Sequence, residues 1–138
     1  MSANTSGVVQ VVRAEIHNVI AAMRLNSRFF PRAGNRFSKE VALAAEHPLV
    51  RQLKGLHEHL LSAPSLARVD TVRIVSPFVD VVRDARASGP ITGAALSSLH
   101  KFLLYGFLSP DAPRARQGAE LLGRCVALLR SSYRHCFF

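Results

Sequence analysis

The residues best able to do chemistry here do not converge. His57-Glu58-His59 places two histidines around a glutamate, but a zinc-protease helix needs its histidines four apart so that both nitrogens reach one metal. Two residues apart on a helix, they point to opposite sides and read as surface histidines. The two cysteines, Cys125 and Cys136, would share one face of a continuous helix roughly 16 Å apart along its axis, beyond disulfide reach. A reduced, cytosolic or nuclear chain fits that usage. There is no phosphate-cradling glycine loop, nucleophile elbow or His/Cys cluster at metal spacing. The nine acidic residues are scattered, several beside arginines as ordinary surface ion pairs. The chain reads as non-catalytic, with no cofactor.

Charge supplies the next signal. Eighteen Lys and Arg against nine Asp and Glu give a formal net charge of +9, which favours phospholipid surfaces, acidic protein patches or nucleic acid. Arg13, His17, Arg24 and Arg28 gather on one stripe of a helix, because four- and eleven-residue steps return nearly to the same angle. That stripe is either a solvated basic face or a contact for an anionic membrane or acidic partner. Arginines alternate with aromatics from Phe29 to Phe37, the composition that stacks bases and holds phosphates. Without a β-sheet platform or a glycine-aromatic RNA-binding signature, nucleic acid ranks behind the other partners.

The elements that carry these residues are helical throughout. At 138 residues, 49% hydrophobic and 20% charged, the chain fits one compact domain. Met1 to Gly7 is polar and expected to fray. From Val8 to Asn26, residues Val9, Val12, Ile16, Val19, Ile20 and Met23 make an apolar stripe. His47-Pro48 opens a second helix, with Leu49, Leu53, Leu56, Leu60 and Leu61 as its buried face. After a turn at Ala63-Pro64-Ser65, Asp70 caps the segment from Thr71, and Ser76-Pro77 offers a second start that predicts a kink or two short helices. Asp80, Arg83, Asp84 and Arg86 are expected to face water there.

Gly89-Pro90 forces a break, and a helix follows with Ile91, Ala95, Leu99, Phe102 and Leu103 at helical spacing. Ser97, Ser98, His100 and Lys101 interrupt its apolar surface. Gly93, Ala94 and Ala95 leave room for another helix to approach, and Gly106 marks the end. Beyond the turn-rich Ser109 to Pro113, a last helix runs from Ala115 or Arg116 to about Tyr133. No run is long and apolar enough for a membrane helix, and Arg13, Glu15 and His17 interrupt any secretory leader. The class is all-α, with helices in antiparallel succession; a closed bundle and a stacked solenoid both bury one stripe per helix.

The run from Gly89 to Leu108, GPITGAALSSLHKFLLYGFL, resembles the DCB domain, the dimerisation and cyclophilin-binding region of large Golgi Arf guanine-nucleotide exchange factors of the Sec7 type, most closely the GBF1/GNOM branch. Two further segments match in order: Glu15-Ile16 and Val19 followed by Met23-Arg24-x-Asn26-x-Arg28-Phe29, and Ser76-Pro77-Phe78-Val79-Asp80-Val81-Val82-Arg83. The resemblance implies an armadillo-like α-solenoid fragment over residues 8–138, a partial domain cut on its C-terminal side. It implies protein partners (a second copy, the HUS region, cyclophilin) and peripheral Golgi membrane contact. It leaves exchange on Arf GTPases to a Sec7 domain absent from this chain. The interaction surface it points to is Pro90, Ile91, Thr92 and Gly93 at the turn, then Ser98, Lys101, Phe102 and Tyr105 on the helix, with Thr92 as a cap and core packing as the alternative for Phe102. A peripheral membrane binder using Arg13, His17, Arg24 and Arg28 is the competing reading.

Overall fold

A computed structural model describes the backbone of residues 2–26, 29–30, 46–63, 65–108 and 110–137, and their side chains except 2–6, 67 and 132–137. Arg28, Pro64, Ser109, the basic-aromatic segment beyond Phe30, the Cys136 and Phe137 side chains and Phe138 lie outside the described residues.

Five α-helices follow in order among the described residues: α1 (Ser2–Arg24), α2 (Pro48–Ser62), α3 (Thr71–Arg83), α4 (Gly89–Leu104) and α5 (Ala115–Phe137), with a 3-10 turn at Leu66–Arg68 before α3. The all-α class is borne out. α1 starts at Ser2, earlier than the apolar stripe requires, because extending an established helix by a residue costs little. Its stripe residues Val12, Ile16, Val19 and Met23 are all buried.

Each following helix starts or stops for a local reason. Pro48 occupies the first turn of α2, and His47 Nδ1 accepts the Leu49 amide at 3.1 Å, satisfying a donor that the first turn leaves free. Asp70 does the same for α3 by accepting from Val72 N at 2.9 Å. Of the two expectations at Ser76-Pro77, two short helices are not seen: one helix spans Thr71–Arg83 with Pro77 buried inside it. Proline removes one ladder donor there, while Ile74, Val75, Phe78, Val79 and Val81 hold the segment in the core.

Gly89 and Pro90 open α4 as expected, but its N-cap is Ser88 and Thr92 already lies within the helix. At the other end Gly106 adopts φ 64°. Its amide bonds to the Leu103 carbonyl, and Phe107 N reaches back to Phe102 O at 3.0 Å. This is the paired closure that a left-handed residue permits. The accompanying apolar contact is present, with the Phe102 and Phe107 rings 6.4 Å apart.

Two antiparallel pairs, α1/α2 and α3/α4, pack on one another through α1–α4 and α2–α3. Phe29 lies against His47 while His17 lies against His57, so α1 and α2 run in opposite directions. Phe78 and Phe102 meet edge to face at 5.1 Å between α3 and α4. α5 packs on α3, and the two run parallel: Thr71 meets Gly118 near both starts, and Arg83 acts on Cys125 further along. Parallel helices of successive layers are what a stack of helical pairs produces, and α5 begins a third layer.

Candidate interaction surface

The sequence-predicted surface residues divide when the fold is formed. Ile91, Ser98 and Phe102 point into the core with no exposed area. Pro90, Gly93 and Tyr105 are exposed, and Thr92 and Lys101 are half-buried. A hundred degrees per residue explains the split, because Ile91, Ser98 and Phe102 lie seven and four apart on one face. Close helix approach, expected at Gly93, occurs at Gly118 instead. A Cβ at Gly93 would meet nothing within 4 Å, whereas one at Gly118 would run into Thr71 Cγ2.

Ser98 faces inward because it meets a carboxylate there. Glu15 of α1 is only 5% exposed. Lys101 Nζ donates to its Oε1 and Ser98 Oγ to its Oε2, both at 2.8 Å. Ser98 Oγ also lies 3.0 Å from the Ala94 carbonyl, but its single proton serves the stronger, charged acceptor. Burial pushes the Glu15 carboxyl upward, and the hydrogen bonds from Lys101 and Ser98 outweigh it, leaving the pKa below its ordinary 4.5. The same bond from Glu15 raises Lys101. Sequence reasoning missed this bridge, although a signal was present: Glu15 falls three after Val12 and four before Val19, on the core stripe of α1.

The basic stripe is partly spent within the molecule. Arg13 Nε donates to His57 Nε2 at 3.4 Å, and the His17 and His57 rings meet edge to face at 4.7 Å. His57 is therefore half-buried rather than a free surface histidine. Burial, then the charges of His17 and Arg13, lower its pKa below 6.5. Arg24 sits 6.0 Å over the Phe30 ring. Asp80 is also half-buried, and burial raises its carboxyl against the nearby Arg83 charge.

The open part of the surface lies at the other end of α4. An apolar groove of about 380 Å³ is lined by Leu103, Leu108, Pro110, Ala115, Ala119 and Leu122, with Arg116 beside them. Leu104 and Tyr105, the latter 63% exposed, continue the apolar helix end. Among the described residues there is no group of three or more His, Cys, Asp or Glu able to hold a metal ion. Nor is any described helix long and apolar enough to cross a membrane.

No family model matches the chain, and no solved structure does. Curated relatives do. A nematode (Caenorhabditis elegans) Golgi-specific brefeldin A-resistance guanine nucleotide exchange factor 1 homolog is 31% identical over 88% of the chain. The Arabidopsis thaliana ARF guanine-nucleotide exchange factors GNOM and GNL1 are 34% and 36% identical over 94% and 70% of it. The chain is homologous to a segment of ARF guanine-nucleotide exchange factors. It spans only 6–9% of the length of these three relatives. The resemblance carried by residues 89–108 thus extends over most of the chain. What the described residues assemble is a helical scaffold with a polar bridge at Glu15 and an open apolar edge.

Proposed function

We propose that this chain is a non-catalytic regulatory and protein-interaction module of an Arf exchange factor acting in Golgi vesicle trafficking. In this reading it is part of a DCB-type domain spanning residues 8–138. It works by self-association, by contact with the HUS region and by helping recruitment to Golgi membranes, while nucleotide exchange belongs to a Sec7 domain elsewhere in such a protein. The observation that carries the reading is the alignment of up to 94% of the chain with less than a tenth of an exchange factor, which supports a role as one module beside the exchange activity. Packed helices leaving an apolar edge uncovered support a binding role. The engagement of Arg13 and of the still exposed His17 with His57 weighs against the basic stripe as the principal contact.

The test is capture of a purified HUS fragment by the immobilised 138-residue chain in moderate salt. Retention is expected, since apolar contacts survive the screening that dissolves exposed charge pairs. No capture, together with liposome binding that collapses steeply with salt, would replace this reading with peripheral membrane binding.

A further inference from the structure

Among the described residues, α4 and α5 do not pack against each other, although both are held by α3. The gap between them is the apolar groove, with Thr71 of α3 at its base. Leu103 on one wall is 55% exposed and Val126 beyond the other is 53% exposed. On α5, Ala115, Ala119, Leu122 and Val126 follow at steps of four, three and four, so they share one face. Arg116 lines the same groove, and Arg130, four residues after Val126, continues that edge in an exposed position. The contact between Arg116 and Glu120 spans 3.7 Å between exposed side chains and holds the arginine weakly.

We propose that this groove receives an amphipathic helix of a partner protein whose apolar stripe is flanked by aspartates and glutamates. A groove with helical walls accepts a third helix laying leucine-sized residues between them at i, i+3, i+4 and i+7. The charge of the edge then selects the partner. A second copy of this chain would bring +9 against +9 and arginine against arginine, whereas acidic flanks complement Arg116 and Arg130. A concave apolar site between two helices also suits a rod better than a membrane plane. This proposal deepens the reading of the chain as an interaction module and rests on it.

The experiment is fluorescence anisotropy of the 138-residue chain with two designed helical peptides sharing one leucine stripe, one flanked by glutamates and the other by lysines. The acidic peptide is expected to bind at least about tenfold more tightly. Leu103→Asp should weaken it by a similar factor with unchanged circular dichroism, since Leu103 is already exposed, and the pair Arg116→Glu and Arg130→Glu should invert the preference. Equal binding of both peptides overturns the proposal, as does binding indifferent to Leu103→Asp. Sedimentation showing a dimer that Leu103→Asp dissolves overturns it in favour of a second copy, and Leu103-dependent binding to phosphatidylserine vesicles without peptide binding overturns it in favour of lipid. Capture of the HUS fragment with no peptide binding sinks the groove alone. Peptide binding without that capture sinks the HUS contact while leaving the groove intact.

Discussion

The α1–α4 seam and the α3–α5 seam hold the same kind of object, one helix against another, by opposite means. Between α1 and α4 a carboxylate is taken almost out of water and answered on both oxygens, by Lys101 and Ser98. Between α3 and α5 the close contact is glycine against a threonine methyl. The polar link there, Asp70 with Arg114, stays nearer water, its carboxylate side chain 27% exposed against 7% for Glu15. A buried carboxylate must keep its donors, so the Lys101 and Ser98 bonds to Glu15 favour one placement of α1 along α4 even though Lys101 itself is 41% exposed. A glycine contact fixes only how near α5 comes to α3. The seam set by distance is the one whose outer edge remains open for a partner.

The largest effect should come from spoiling that distance. Gly118→Val places branched carbons where Thr71 Cγ2 already stands, and overpacking of this kind costs about 1–3 kcal/mol. Helix propensity pulls the other way, by up to about 1 kcal/mol for leaving glycine, so a net loss in urea melts isolates the clash. In the milder Gly118→Ala, adding Thr71→Ser removes the offending methyl and should recover part of the loss, a coupling of about 0.5–3 kcal/mol. Additive effects of the two changes would show that the seam is not set by this contact. Thr71 Oγ1 is buried and has no hydrogen-bond partner among the described residues, so losing the methyl rather than the hydroxyl is the informative change.

The contrast between the seams also explains what could be read in advance. Apolar periodicity located α2, α4 and α5, and His47-Pro48, Asp70 and Gly106 marked ends correctly, because caps and proline act within a few residues. Ser76-Pro77 did not start a second helix, since a start signal within the chain yields when Val75, Phe78 and Val79 around it are buried by tertiary packing. Gly93 and Gly118 are indistinguishable locally; only the placement of α3 decides which one is approached. Likewise Ser98 looked polar and outward until Glu15, eighty-three residues away, was brought opposite. Pairings of that separation leave no trace in the spacing of one helix.

The next effect tests the buried bridge. Lys101→Met strips Glu15 of its charged donor and leaves the carboxylate buried beside Ser98, so it should lower the denaturation midpoint more than Ser98→Ala, for which about 1 kcal/mol is expected. The bridge also predicts a pH response. The folded carboxyl lies below 4.5, so its contribution is present above that value and is lost as the pH falls through the lowered folded value. In Lys101→Met, only the Ser98 and Asn18 hydrogen bonds still oppose burial, so the folded carboxyl rises and the acid loss due to Glu15 should shrink or reverse. An acid limb unmoved by Lys101→Met would show that Glu15 is not held by Lys101.

A smaller effect separates α1–α2 from both seams. His57 has its folded pKa lowered from 6.5 by burial and by the His17 and Arg13 charges. Unfolded chains therefore bind its proton more readily, and this contact is at full strength above 6.5 and weakens as the pH falls below it. His57→Asn should flatten the stability change between about pH 7 and 5. An unchanged slope would assign that change to other groups.

The smallest effect is expected at Arg114, where two terms oppose. Arg114 holds φ 55°, a left-handed conformation that costs a side chain roughly 1 kcal/mol and that glycine adopts freely. Its guanidinium donates to Asp70 Oδ2 at 2.6 Å, but with the arginine side chain 52% exposed that pair is worth at most about 1 kcal/mol. Arg114→Gly loses the pair and relieves the backbone, so the melt should be nearly unchanged, while Arg114→Ala loses the pair and keeps the strain. If Arg114→Gly is as damaging as Arg114→Ala, then the ion pair, and not the geometry at Gly118, sets how α5 joins α3, and the contrast between the two seams collapses into a single electrostatic mode.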